Sequence, residues 1–175
     1  LAAELGLRPV LSSNGTLITG KVAKRIKDAG FQYVGISIDG APGTHDYFRA
    51  RKGAFAEALA GIHACLAEGV KTGIRFTVNK WNQKDLPEIL DIVAREDIPR
   101  FCMYHLVYAG RGAEIMATDT SADEKRRILD LLVEKTLELH AMGAEVEILT
   151  TDNHADGVYL KNYIEKHYPQ RAPEV

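Results

Sequence analysis

"YVGISIDGAPGTHDYFR", residues 33–49, opens like a buried strand and closes like a polar binding loop. Its β-branched, apolar opening reads as a strand rising out of a core. It then delivers Ser37, Asp39, His45, Asp46 and Arg49 in quick succession, with Gly40 placed to turn the chain sharply. Helical patterns lie on both sides, "GKVAKRIKDAG" before it and "KGAFAEALAGIHACLAEG" after it. A strand between two helices, with a hydrogen-bonding tip, sets the reading of everything else.

The same unit recurs along the chain. Strands are expected near residues 9–13, 33–38, 72–78, 101–107 and 145–150. Two further helical patterns, "QKDLPEILDIVARED" and "TSADEKRRILDLLVEKTLELHAMG", separate the later strands, and a last helix is expected from Ala155 to about His167. Strand alternating with helix implies right-handed crossovers onto a parallel sheet. Strands this apolar, covered on both faces, suit a barrel or a doubly wound sheet. Working residues then sit at the carboxyl ends of the strands. All five ends turn polar here: Ser12-Ser13-Asn14-Gly15, Ser37-Ile38-Asp39-Gly40, Thr77-Val78-Asn79, His105 to Tyr108, and Thr150 to His154. One polar end is a cap; five point to a shared site.

Composition narrows the classes. The chain has 175 residues, enough for one domain with a real core, and 46% of them are hydrophobic. A formal charge of -2 gives no electrostatic footprint for nucleic acid or an anionic membrane, and no apolar run is long enough to span a bilayer. The two cysteines, Cys65 and Cys102, lie far apart on apolar elements and read as buried free thiols, which suits a reducing, cytoplasmic setting. The opening "LAAELGLRP" lacks an initiator Met and reads as the last turns of a helix, and "QRAPEV" stops as abruptly, so a fragment is expected.

Ser, Asn, Asp and Thr at strand tips can hydrogen-bond a ribose diol or the two ends of an amino acid, and Arg49 can hold a carboxylate with its fork. Taken singly, Asn14-Gly15 and Asp39-Gly40 read better as turns; taken together at equivalent strand ends, they read better as ligand contacts. No Walker loop, dinucleotide fingerprint, zinc spacing or nucleophile elbow is present. His45 is expected to brace its own loop, and His63, His140 and His167 to be structural. Trp81 either caps the rim or forms an aromatic wall.

"SSNG", "SIDGAPGTHDYFR", "GIRFTVNKWN" and "HLVYAGRG" resemble the third to sixth strands of radical S-adenosylmethionine (SAM) enzymes, in the subgroup with a cysteine-rich SPASM or twitch domain after the barrel. Within it, "YHLVYAGRG" and "TTDNHADGVYL" are most similar to the enzymes of heme d1 and alternative heme biosynthesis. The resemblance implies an incomplete parallel (β/α) barrel of radical SAM type, residues 1–175 being part of the core domain. It implies a SAM cosubstrate and, in the parent protein, a [4Fe-4S] cluster fed by a ferredoxin or flavodoxin. The reaction implied is radical removal of propionate side chains from didecarboxysiroheme, a tetrapyrrole.

By the same resemblance, Ser13, Asn14, Ser37, Asp39 and Arg49 face the ribose or amino-acid portion of SAM. Thr77, Asn79, Leu106 and Val107 surround its adenine and ribose. Tyr108, Arg111, Asp152 and Asn153 face the tetrapyrrole, and His105 and His154 are candidate proton donors. The departures are large. The family's three-cysteine cluster loop, its acidic-glycine motif for the methionine amine, and the auxiliary cysteines are absent from this sequence. No metal ligand is therefore expected in this chain, and the chain alone is expected to be inert. A peptide maturase or sulfatase maturase of the same superfamily is one alternative, and a cluster-free α/β domain that binds a nucleoside or a partner protein is another.

Overall fold

β-Branched and aromatic runs bounded by turns make five strands in the computed structural model, which describes residues 2–174 without the side chains of Arg111 and Glu174. The chain runs β1 (Val10–Ser13), α1 (Gly20–Asp28), β2 (Tyr33–Ser37), α2 (Pro42–Phe48), α3 (Ala54–Ala67) and β3 (Thr72–Thr77). It continues with α4 (Leu86–Arg95), β4 (Arg100–Tyr104), α5 (Arg111–Glu114), α6 (Ala122–Ala141), β5 (Glu147–Thr151) and α7 (Ala155–His167). Short 3-10 turns at Gln83–Asp85 and Met116–Thr118 lead into α4 and α6, and another, Pro169–Glu174, follows α7.

The strands pair in the order β1-β2-β3-β4-β5, every pair parallel. A doubly wound sheet reverses direction at a switch point; this one never does, so it is the arc of a barrel. Each strand shows two faces, as a period of two requires. Val34, Ile36, Ile74, Phe76, Phe101 and Met103 point outward into the main core, which α3, α4 and α6 complete with Ile62, Leu90 and Leu129 among others. The alternate residues face the concave side, where Arg75 touches Ser12 and Tyr104, and Arg100 lies over the Tyr33 ring.

The strand limits agree with the sequence reading to within a few residues, and the four long helices and α7 lie where their spacing places them. Helix ends carry their expected signals. Thr19 caps α1 by accepting from the Val22 amide, and Ser121 with Glu124 forms a capping box on α6. Two segments differ. Residues 2–6 form turns, not a helix end, closing at Gly6 with φ +73°. The loop expected after β2 contains helix α2, which Pro42 starts because its fixed φ and missing N–H cost nothing in a first turn. Cys65 and Cys102 are both buried and free. Among the described residues, no helix is long and apolar enough to cross a membrane.

Candidate functional site

The carboxyl ends of the strands surround a cleft of about 1000 Å³. Asn14, Ser37, Asp39, Arg49, Thr77, Asn79 and Leu106 all line it. Their common position follows from strand parity: Ser37 and Asp39 continue the concave face of β2, Thr77 and Asn79 that of β3, and Leu106 that of β4. Trp81 and Phe48 meet edge to face at 5.8 Å on the same rim.

The backbone behind these side chains is held at three points by side chains. The Asp39 amide donates to His45 Nδ1 at 3.0 Å, so that nitrogen keeps its lone pair. Burial is the main cause that pushes the His45 pKa down, and the nearby Arg49 charge adds to it, so His45 serves as a neutral brace. The Asp39 carbonyl accepts from Asn82 Nδ2 at 2.9 Å, and the Ala41 amide donates to Asp85 at 3.1 Å. Asn82 is fully buried and does more than this. Its amide also donates to the Thr77 carbonyl at 2.9 Å, and its Oδ1 accepts from the Asn79 amide at 2.8 Å. One side chain therefore ties the tip of β2 to the tip of β3.

Asp46 fixes the α2–α3 junction by accepting from the Gly53 amide at 2.6 Å and the Phe55 amide at 2.9 Å, and these bonds lower its pKa. Gly15 sits at φ +78°, and its carbonyl packs so closely on α3 that a Cβ at Gly61 would lie 2.4 Å from it. Two glycines thus let the β1 loop press against α3 and hold Asn14 at the cleft.

Arg49 Nε lies 2.6 Å from Asp39 Oδ2 in a close ion pair that is not an aligned hydrogen bond. Neither the Ser37 nor the Thr77 hydroxyl has a hydrogen-bond partner among the described residues. Asn79 spends its carbonyl on the Trp81 amide, and Asn14 spends its own on Thr16. Their NH2 groups remain as donors on the cleft wall.

Other expected residues lie elsewhere. Ser13 accepts from the Gly15 amide and shapes the turn without lining the cleft. Val107 and Tyr108 are exposed beyond β4, and the Tyr108 hydroxyl bonds Asp119, which raises its pKa. The Arg111 side chain lies outside the described residues. His105 is turned away from the cleft: it follows Phe101 and Met103 on the outward face, where its Nε2 lies 2.8 Å from buried Asp156 of α7. Asn153 donates to the other oxygen of Asp156, while Asp152 and His154 are exposed near the start of α7. Those three residues do not line the cleft with Ser37 and Thr77. His63 pairs with Glu96, His140 contacts the Val146 carbonyl, and His167 stacks on Tyr163.

The family model for the radical SAM superfamily matches residues 1–93, more than half of the chain. The chain is 51% identical over 174 residues to the Fe-coproporphyrin III synthase of Methanosarcina barkeri, covering 99% of this chain and 44% of that protein. It is 43% identical over 160 residues to the pre-heme d1 synthase of Dinoroseobacter shibae, covering 91% and 40% respectively. Streptococcus suis SuiB, solved bound to S-adenosylmethionine, shares the fold at a TM-score of 0.68 with 14% identity, over 94% of this chain and 35% of its own. The chain thus spans less than half the length of the curated relatives it matches. A sequential parallel arc with a polar cleft at its carboxyl end, together with the family match, leads to one conclusion: this chain belongs to the radical SAM superfamily.

Proposed function

We propose that this chain positions SAM in an enzyme that remodels the carboxylated side chains of a heme-related tetrapyrrole. The observation that carries the reading is the convergence of unpaired hydroxyl and amide donors with Arg49 in one cleft on rigid strand tips. Similarity to a Fe-coproporphyrin III synthase and a pre-heme d1 synthase, both named for tetrapyrrole products, supports the substrate class.

The donor set fits the cosubstrate. Ser37 and Asn14 suit the ribose or amino-acid portion, and Thr77, Asn79 and the chain at Leu106 suit the adenine and ribose. Arg49 suits the carboxylate, with Asp39 holding its Nε and leaving the terminal nitrogens of the fork. SAM bound here, once cleaved by an electron from a donor outside these residues, would supply the chemistry of abstracting a hydrogen atom from the substrate. The chain itself binds, orients and excludes water, and the neutral His45 brace keeps the Asp39 backbone fixed while it does so.

The cluster does not fit these residues. Cys65 lies within α3, where burial pushes its thiol pKa up, and Cys102 lies in β4. Among the described residues, no group of three or more His, Cys, Asp or Glu side chains could hold a metal.

Calorimetric titration of SAM into the protein that carries this chain tests the proposal. Ser37→Ala with Thr77→Val should weaken binding by about 30-fold, for two lost hydrogen bonds at about 1 kcal/mol each. Unaltered affinity in that double variant would refute the placement, and no affinity for SAM in the unaltered protein would favour a cluster-free binding domain.

A further inference from the structure

Below the cleft, the concave face of the sheet is unusually cationic. Lys71, Arg75 and Arg100 lie on it, and Glu147 is shared by Lys71 and Arg100 alone. Lys71 and Arg100 both bind Glu147, the latter also through its Nε at 2.7 Å. Arg75 has no acidic partner among the described residues. Its guanidinium bonds the Ser12 hydroxyl and lies 4.5 Å above the Tyr104 ring, both of them neutral groups.

The fold makes room for this arginine. A Cβ on Gly35 would sit 2.5 Å from Arg75 Cδ, so the stem lies across β2 only because residue 35 is glycine. The neighbouring Gly73, paired in register with Gly35, does the same for Tyr33: a Cβ there would lie 2.7 Å from the Tyr33 hydroxyl. Two adjacent glycines thus form a smooth floor on which the Arg75 stem and the Tyr33 ring lie flat. Arg75 is only partly buried and stands two residues before Thr77, whose side chain lines the cleft on the same face.

An arginine held at a fixed height by a glycine gap, a hydroxyl and an aromatic face, with no counter-charge among the described residues, is built for an anion. We propose that Arg75 anchors a carboxylate of the tetrapyrrole side chain that enters the barrel beneath the cosubstrate. The inference rests on the tetrapyrrole reading above and names the contact that would select acid over ester side chains. Arg100 cannot serve as well, because Glu147 already neutralises it.

The test uses coproporphyrin III and its tetramethyl ester, titrated by Soret absorbance into the full-length protein and into Arg75→Met and Arg75→Lys. The expected result is that the unaltered protein prefers the free acid and that Arg75→Met loses about 10- to 100-fold in acid affinity. Ester binding and SAM affinity should stay as they were. Arg75→Lys should recover part of the acid preference, which also keeps the test open if the methionine variant misfolds. A protein that binds neither porphyrin overturns the tetrapyrrole reading and this inference with it. Equal affinity for acid and ester, or an acid preference that survives Arg75→Met, overturns the anchor alone.

Discussion

Replacing Asn82 with alanine should unfasten the cleft more than any change to the cleft wall. The side chain is fully buried and makes three hydrogen bonds to main-chain groups, at 2.8, 2.9 and 2.9 Å. Its loss orphans the Asn79 amide and the Asp39 and Thr77 carbonyls. Each orphaned buried group costs about 1–3 kcal/mol, and water entering the vacated space offsets part of that, so a loss of about 3 kcal/mol is expected. With a urea m-value of about 2 kcal/mol/M, the midpoint should fall by about 1.5 M. Asn82→Asp separates the bonds from the packing. It keeps the shape and can still accept from Asn79, but its second oxygen faces two carbonyls. The variant should be at least as unstable as alanine at neutral pH. A carboxyl so placed has a raised pKa in the folded state, so this variant should regain stability as pH falls and lose it as pH rises. Urea melts followed by circular dichroism at two pH values read both effects. A midpoint shift under about 0.4 M for Asn82→Ala, small against the expected change, would refute the claim that Asn82 ties the two strand tips together.

Arg49→Ala should weaken SAM binding by about 30-fold or more. It should cost under about 1 kcal/mol of stability, because the Asp39 pair is partly solvated. Arg49→Lys should rescue binding only in part, and stability losses that match the binding losses would mean that Arg49 serves only to pin the loop. His105→Ala should destabilise the fold by about 2–4 kcal/mol through loss of the buried Asp156 contact and its packing. Calorimetry should find SAM affinity unchanged in that variant, and a selective loss of binding without destabilisation would return His105 to the site. The Glu124 carboxyl has its pKa lowered to about 2, first by Gln83 and then by the Ser121 cap, against an ordinary 4.5. Its stabilising contribution is therefore present above 4.5 and lost as pH falls towards 2, so the stability gap between the protein and Glu124→Gln should close across that window.

Most of the architecture was legible because its signals are local and periodic. β-Branched runs, helical spacing and glycine stops placed five strands and five helices without tertiary information. Helix α2 was not legible: seven residues containing Gly43 and Thr44 carry no periodicity, and only docking on α3 makes them helical. The cleft residues on the concave parity were found, while His105 was misplaced by one residue. At a strand end, adjacent residues face opposite ways, so Leu106 lines the cleft and His105 enters the core. Asn82 went unnoticed because its role lies in binding two strand tips far apart in sequence. Arg75 sat inside the apolar run "GIRF", where a lone arginine reads as a surface interruption until the register shows which face it takes.

These misses share a cause that also explains how the site works. The residues that would touch a ligand announce themselves as polar tips, but the residues that make those tips rigid are spread over separate elements. Around residues 39–41, the Asp39 amide, the Asp39 carbonyl and the Ala41 amide are each held by a side chain, from α2, from the segment after β3 and from the turn before α4. Backbone held this way has little freedom left to lose, so ligand binding orders few new torsions. The freedom that remains is concentrated in Arg49, Ser37 and Thr77, whose side chains are not fixed by aligned hydrogen bonds. A rigid frame carrying a few unsatisfied donors is what selectivity for one small polar molecule requires: a wrong ligand leaves those donors unpaired, and the frame cannot shift to accommodate it.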